Sequence, residues 1–142
     1  MNILVTLDRG YLSPLKVMLT SLLAANPDPA IHLYILHSSL TEEDLAGISA
    51  LDGSGRFQAT GTPVADPRLD NAPTTDRYPK EMYYRIFAAQ YLPESLDRIL
   101  YLDPDLIVNL PLEELYATDL GNNLFAAATH VQETFRKLNE LR

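Results

Sequence analysis

The pattern of apolar and polar residues along the chain alternates between short apolar runs and segments with helical spacing. Apolar runs at residues 3–5 and 31–36 are typical of strands that are buried on both faces. Between these runs, apolar residues recur at the spacing of one helix face: Leu15, Met18, Leu19, Leu22 and Leu23. The first part of the chain is therefore predicted to form a strand, a helix and a second strand.

The same alternation continues through the rest of the chain. Thr41, followed by three acidic residues, is typical of the start of a second helix, and residues 57–60 have the pattern of a third strand. The pattern predicts four later elements: a helix over 80–91, the strongest strand over 98–102, a strand over 124–128 and the start of a last helix over 133–141.

This order of elements predicts an α/β fold with an open, mostly parallel sheet and helices on both faces. Residues 53–79 are rich in Gly, Pro, Asp and Thr, and such a segment is typical of either an active-site loop or disorder; we assign the loop to residues 62–79. Ligands of open parallel sheets bind beyond the carboxyl ends of the strands. Two polar sites fall at predicted strand ends: Thr6-Leu7-Asp8 and Asp103-Pro104-Asp105.

Composition and charge narrow the class of partner. The 142 residues fit a single domain, residues 1–142, that can bury a core. Acidic residues outnumber basic ones 19 to 11, so no basic stripe is available for nucleic acid. The absence of cysteine excludes thiolate metal ligands. With no transmembrane segment and no signal-peptide pattern in the sequence, we expect a cytoplasmic protein.

The turn Asp103-Pro104-Asp105 carries the strongest chemical signal because it lies between two apolar runs. Residues i and i+2 of an extended backbone project to the same side, so both carboxylates can reach one point. Their mutual repulsion is relieved by a divalent cation, which can also bind diphosphate oxygens. Pro104 stiffens the backbone between them. The alternative is an ordinary solvated turn, since Asp and Pro both favour turns.

Residues 99–108, which contain this turn, resemble the D-x-D region of glycosyltransferase family 8. Three other stretches resemble the same family in the same order: residues 2–8 with Tyr11, the Tyr83-Tyr84-Arg85 helix, and residues 112–123. Together they cover essentially the whole chain. The resemblance implies a Rossmann-like GT-A fold that binds a UDP-sugar with Mn²⁺ or Mg²⁺.

The resemblance also implies which residues bind the nucleotide sugar: Thr6, Leu7, Asp8, Tyr11, Arg85, Asp103, Pro104 and Asp105. Tyr11 would stack on the uracil base, and Asp103 and Asp105 would hold the metal ion. Asp8 could instead be a simple loop carboxylate, and Tyr11 a residue at a helix entry. Arg85 needs an anion because its helix is otherwise apolar, and either the sugar donor or Asp103 could supply it.

The function implied by the resemblance is retaining transfer of a hexose, glucose or galactose, from a UDP-sugar to a glycan or lipid-linked saccharide of the lipopolysaccharide type. Members of the family are longer, and their second halves carry an Asn-Ser/Thr-Gly motif and a late histidine that this chain lacks. We therefore expect an N-terminal part that is truncated, binds the donor only and shows little or no activity. We identify no catalytic residue.

The sequence also bears on the oligomeric state, on His130 and on alternative functions. A sheet cut at this point exposes an apolar edge, which favours a homodimer. In the resemblance, His130 stands at an acceptor-side position where the family commonly has Asp, so it departs from the family pattern. Two alternative functions are a non-catalytic nucleotide-binding or assembly domain and a haloacid-dehalogenase-like phosphatase in which Asp103 is the nucleophile.

Overall fold

The computed structural model describes residues 1–75 and 79–128, and a four-stranded parallel sheet lies at its centre. Its strands are β1 (Asn2–Leu7), β2 (Ile31–His37), β3 (Phe57–Pro63) and β4 (Leu100–Tyr101). They lie in the order β3-β2-β1-β4, and every neighbouring pair is parallel. β1 pairs with β2 along its whole length and with β4 at two positions, which places the ends of these three strands side by side. The predicted parallel sheet is confirmed.

Helical segments cover both faces of this sheet. Helix α1 (Leu12–Ala25) and helix α2 (Glu42–Ser49) pack on one face, and a 3-10 helical segment (Lys80–Gln90) packs on the other. Successive residues of β1 therefore enter different cores, with Val5 facing α1 and Leu4 facing Lys80–Gln90. Burial on both faces is the physical reason that the strands are apolar throughout.

The predicted apolar face of α1 and the predicted start of α2 agree with the structure, whereas α1 begins at Leu12 and not after an N-cap at Ser13. The five apolar residues of α1 that share one face are all buried. Thr41 caps α2: its hydroxyl accepts from the Asp44 amide at 3.2 Å, and the Asp44 carboxylate accepts from the Thr41 amide at 2.9 Å. The hydrogen bonds that the Asp44 carboxylate accepts from the Thr41 amide and hydroxyl are the largest causes that hold the pKa of Asp44 below its usual range.

The segment predicted as a helix over 80–91 is helical, but it has the tighter 3-10 hydrogen bonding over Lys80–Gln90. Its position depends on tertiary contacts. Tyr84 and Ala88 enter the core, and the Tyr83 hydroxyl donates to the Pro73 carbonyl at 2.6 Å. Hydrophobic periodicity reports the buried face of such a segment but not the hydrogen-bonding pattern that packing selects.

Two strand predictions differ from the structure. The strand predicted over 98–102 shortens to Leu100–Tyr101, because β4 lies at one edge of the described sheet and pairs only with β1. The strand predicted over 124–128 is wrong: the described backbone there forms no strand, and Leu124 is 96% exposed. An apolar run becomes a strand only where a partner strand can accept its hydrogen bonds, and the described residues offer none at this place. The helix predicted over 133–141 and His130 lie outside the described residues.

The segment assigned to an active-site loop, residues 62–79, contains more regular structure than expected at its start. β3 extends to Pro63, and a 3-10 turn follows at Pro67–Leu69. A short unpredicted helix, α3 (Glu113–Tyr116), follows the Asp-Pro-Asp region. None of the helices in the described part of the chain has the length and apolar character needed to cross a bilayer.

Candidate functional site

A cleft of about 330 Å³ lies at the carboxyl ends of β1 and β4. Because these strands are parallel neighbours, the residues that follow them meet at one edge of the sheet. All the nucleotide-sugar residues predicted from the sequence line this cleft: Thr6, Leu7, Asp8, Tyr11, Arg85, Asp103, Pro104 and Asp105. Four further residues line it that the sequence interpretation did not assign: Pro79, Glu81, Met82 and Tyr101.

The loop after β1 presents Asp8 and Tyr11 to the cleft. Asp8 starts a 3-10 turn, and its carboxylate accepts from the Tyr11 amide at 3.3 Å. Gly10 lies so close that an added Cβ would be 3.0 Å from Asp8 Oδ1. Arg9 fixes the loop from outside through an ion pair with Asp44 at 3.0 Å. The Tyr11 side chain remains 41% exposed, so it is not a core residue and its ring can serve as a flat contact surface.

A second group of contacts joins Arg85 to the strand end of β4. The Tyr101 hydroxyl donates to Asp103 Oδ1 at 2.8 Å, and Arg85 Nη1 lies 3.6 Å from the same oxygen. The Arg85 guanidinium also lies 5.2 Å from the centre of the Tyr101 ring. Thr6 Oγ1, from β1, is 3.4 Å from the Tyr101 hydroxyl. The ion pair to Asp103 that was one of the two interpretations of Arg85 is therefore present, and Arg85 lines the cleft as well.

The protonation state of Tyr101 suits it to hold Asp103. Burial raises the pKa of the Tyr101 hydroxyl, and the hydrogen bond to Asp103 and the charge of Asp103 raise it further; Thr6 and Arg85 work in the opposite direction. The hydroxyl therefore keeps its proton at neutral pH and donates it to the carboxylate. The Arg85–Asp103 pair is solvent-accessible, with side chains 38% and 55% exposed, so a ligand can replace either partner.

The Asp-Pro-Asp turn is fixed at both ends. Pro104 is buried, whereas Asp103 and Asp105 are exposed on either side of it. Beyond the turn, the Val108 amide donates to the Ser21 hydroxyl of α1 at 3.0 Å. The turn is thus held between β4 and α1, which keeps both carboxylates at the edge of the cleft.

The charge of the cleft is strongly unbalanced. Four carboxylates line it, from Asp8, Glu81, Asp103 and Asp105, and Arg85 is the one cation among its described lining residues. Within residues 1–75 and 79–128, no group of three or more His, Asp or Glu side chains is arranged to hold a metal ion. The described protein therefore offers two adjacent carboxylates at the turn rather than a complete cage of ligands.

Sequence interpretation missed Tyr101 and Glu81 for different reasons. Tyr101 is two residues before Asp103, so the alternation of a strand places both on one side, and this signal was available. Glu81 has the pattern of an ordinary acidic residue in the first turn of a helix. Its burial against the sheet is a tertiary property that a single sequence does not show.

Known glycosyltransferases are similar to this chain over most of its length. The model of glycosyl transferase family 8 matches residues 2–142. A lipopolysaccharide 1,3-galactosyltransferase of Salmonella typhimurium is 29% identical over 126 residues, which cover 89% of this chain and 37% of that protein. A lipopolysaccharide 1,2-glucosyltransferase of Escherichia coli K12 is 26% identical over 132 residues, which cover 93% of this chain and 39% of that protein.

A solved structure shows the same fold. The galactosyltransferase LgtC, in complex with donor and acceptor sugar analogues, matches with a TM-score of 0.78 and 30% identity over 87% of this chain and 44% of LgtC. The chain thus spans about two fifths of the length of the curated relatives it matches. The parallel sheet with helices on both faces is the GT-A fold of these enzymes. With the family model matching from residue 2 to residue 142, the chain belongs to glycosyl transferase family 8.

Proposed function

We propose that this chain binds a UDP-sugar together with Mn²⁺ or Mg²⁺ in the cleft at the carboxyl ends of β1 and β4. In the whole protein, this site would serve retaining transfer of glucose or galactose to a glycan or lipopolysaccharide-type acceptor. The observation that carries the proposal is the convergence of all the sequence-predicted binding residues on one cleft. They come from three separate parts of the chain, and only the fold brings them together.

The nucleoside would occupy the part of the cleft beside the loop after β1. The exposed Tyr11 ring offers a face on which a uracil base can stack. The Asp8 carboxylate accepts hydrogen bonds only, so it suits the N–H of the base or the hydroxyls of the ribose. The ion pair between Arg9 and Asp44 and the turn at Gly10 hold both side chains in place before a ligand arrives.

The diphosphate would occupy the part of the cleft beside Arg85 and the Asp-Pro-Asp turn. Asp103 and Asp105 supply hard oxygen ligands, and diphosphate oxygens and water would complete the coordination of a divalent cation. Bound there, the cation would stabilise the negative charge that develops on the leaving nucleotide. Arg85 lies within reach of the same place and can exchange its partner Asp103 for a phosphate oxygen.

The sugar and the acceptor are inferred from the relatives. Both curated relatives named above act on lipopolysaccharide, one as a galactosyltransferase and one as a glucosyltransferase. Because the chain spans about two fifths of their length, we assign donor binding to the described cleft and not the complete reaction. None of the lining residues is assigned as a catalytic nucleophile.

Calorimetric titration of the chain with UDP, with and without Mn²⁺, tests this proposal. We expect binding that requires the metal and that weakens by about tenfold or more in Asp105→Ala, because a charged ligand of the cation is lost. Asp28→Ala is the control, since Asp28 is an exposed aspartate before the amino end of β2. Absence of UDP binding in the unaltered chain, with or without metal, would overturn the proposal in favour of a non-catalytic assembly domain.

A further inference from the structure

Glu81 is a buried carboxylate in the cleft that the proposed chemistry does not yet use. Glu81 is only 9% exposed, yet it lines the cleft. Within the described ranges it has neither a hydrogen bond nor an ion pair: the neighbouring Lys80 pairs with Asp70 at 2.8 Å, and Arg85 pairs with Asp103. A buried carboxylate without a partner is costly, and such groups are typical of binding sites in which a ligand supplies the partner.

The oxygens of Glu81 remain reachable from the cleft. Among the described residues, the one side-chain polar atom that is sealed from solvent and has no partner is His37 Nε2. The unpartnered Glu81 oxygens are therefore not sealed from solvent, and Glu81 is one of the residues that line the cleft. A ligand in the cleft can thus contact this carboxylate directly.

The contacts of Glu81 differ from those of Arg85. Glu81 lies three residues before Tyr84, which belongs to the same buried cluster as Leu4 of β1 and Leu36 of β2. Arg85, one turn later, contacts Asp103 and Tyr101 at the end of β4. Glu81 takes no part in these contacts, although both residues line the same cleft.

We propose that Glu81 binds the nucleoside of the donor by accepting a hydrogen bond from a ribose hydroxyl or from the N–H of the base. This inference rests on the proposed nucleotide-sugar site and adds a residue to it. The diphosphate is excluded as the partner because two anions repel, and the cation available to it in the cleft is Arg85. The uridine of UDP, whose 5′ oxygen is esterified, offers three such donors to a carboxylate: the 2′ hydroxyl, the 3′ hydroxyl and the uracil N3–H.

A purely structural role for Glu81 has a different signature. An acidic residue in the first turn stabilises a helical segment through the exposed backbone amides, and this role requires no ligand. No hydrogen bond from those amides to the Glu81 carboxylate is present in the part of the chain that the structure describes. If Glu81 has only a structural role, its substitution changes stability and the affinity for every ligand alike. If Glu81 binds the nucleoside, its substitution changes only the affinity for ligands that carry the donor group.

The experiment uses the 142-residue chain with Mn²⁺ and compares UDP with pyrophosphate, 2′-deoxy-UDP, 3′-deoxy-UDP and N3-methyl-UDP by calorimetry. Glu81→Gln keeps the shape of the side chain and removes its charge, and Glu81→Asp keeps the charge and shortens the side chain. The two variants therefore test the carboxylate in two independent ways. Glu43→Gln, at an exposed position of α2, is the matched control. Circular dichroism and thermal unfolding establish that each variant is folded.

We expect Glu81→Gln to weaken the affinity for UDP by about tenfold, the usual range for a hydrogen bond to a charged group. The affinity for pyrophosphate should stay within about twofold of that of the unaltered chain. One of the three modified nucleotides should bind the unaltered chain about tenfold more weakly than UDP, and this difference should disappear in the Glu81 variants. Equal weakening of UDP and pyrophosphate, or unchanged UDP binding in both variants, overturns the inference and leaves the proposed function intact. Failure of the unaltered chain to bind UDP overturns the proposed function itself, and the inference with it.

Discussion

Asp103 shares one carboxylate oxygen between the Tyr101 hydroxyl and Arg85, so any ligand of this carboxylate meets an aspartate that is already oriented. We expect Tyr101→Phe to weaken metal-dependent UDP binding by about threefold to tenfold, because one hydrogen bond that orients Asp103 is lost. The aromatic ring beneath Arg85 is retained in this variant. Tyr91→Phe is the control, since the Tyr91 hydroxyl contacts Asp66, which does not line the cleft. Equal affinity in Tyr101→Phe and the unaltered chain, measured by calorimetry, contradicts this role.

Gly10 is a second residue whose effect on the site follows from one distance. An added Cβ would lie 3.0 Å from Asp8 Oδ1, which is tighter than a normal contact, so Gly10→Ala should turn the Asp8 carboxylate away from the cleft. We expect UDP binding to weaken by about fivefold, the value of one ordinary hydrogen bond. Gly53→Ala should leave the affinity unchanged, because no atom lies within 4 Å of the added carbon. A similar affinity in both variants would show that Asp8 does not contact the ligand.

At this scale, a sequence identifies residues whose chemistry is tied to their position at a strand end. Asp8 and Asp103 follow apolar strands, and parallel strands bring such ends together, so both could be placed in one site. The sequence left two candidate anions for Arg85, the sugar donor and Asp103, and the structure shows the ion pair with Asp103. Glu81 could not be found because its burial comes from packing against residues distant in the sequence.

Among the structural elements, the turn at Pro67–Leu69 is joined to Lys80–Gln90 by one charged cluster. Asp66 accepts from Arg68 Nε at 2.9 Å, and the Arg68 guanidinium lies 4.2 Å from the centre of the Phe87 ring. The hydrogen bond from Arg68, the largest cause, lowers the pKa of Asp66 from 3.8 to about 2. The cluster therefore holds the residues after β3 against the segment that carries Arg85.

This lowered pKa predicts a specific acid dependence of stability. Because the pKa of Asp66 is lower in the folded chain than in the unfolded chain, its contribution is fully present above about pH 4 and is lost as the pH falls towards 2. Asp66→Asn should remove this part of the acid dependence. Urea unfolding of both proteins across this pH range measures the difference. Parallel stability curves for the two proteins would contradict the prediction.

The contact between α2 and β3 depends on a residue with no side chain. A Cβ on Gly61 would lie 2.6 Å from one Leu45 methyl and 2.7 Å from the other, so Gly61→Ala requires Leu45 or the helix to move. We expect the free energy of unfolding to fall by about 1–3 kcal/mol, the usual cost of overpacking. Gly47→Ala, within α2 itself, should instead raise it by up to about 1 kcal/mol through helix propensity. Urea unfolding measures both, and equal effects of the two substitutions would rule out the packing explanation.

The sequence predicted elements well where burial is dense and local. β1 and β2 carry continuous apolar runs and α1 carries an apolar face, and both patterns agree with the observed burial, while α2 begins at the predicted capping residues. The strand predicted over 124–128 has a similar apolar run but lacks a described partner, because an apolar pattern does not specify which strand completes the hydrogen bonds. The shortening of β4 has the same origin at the edge of the described sheet.

For the whole molecule, charge and apolar exposure are distributed unequally. The chain has a net charge of -8, and four of its carboxylates line the cleft with Arg85. Several large apolar side chains between residues 106 and 125 are exposed, including Leu110 at 73% and Phe125 at 78%. Apolar exposure of this kind is typical of surfaces that other protein segments cover, so the homodimer expected from the sequence stays a prediction.

In the proposed site, the acidic lining of the cleft would make the binding of the metal and the binding of the nucleotide depend on each other. Asp103 and Asp105 alone leave a divalent cation short of ligands, and UDP alone brings further negative charge to four carboxylates. We therefore expect Mn²⁺ alone and UDP alone to raise the melting temperature little, and both together to stabilise the chain by about 2.7 kcal/mol at a hundredfold excess over the dissociation constant. Thermal unfolding with each ligand, with both, and after chelation by EDTA measures this coupling, and Asp105→Ala should abolish it. An equally large stabilisation by Mn²⁺ alone would instead mean that the protein holds the cation without the nucleotide, through ligands beyond these two carboxylates.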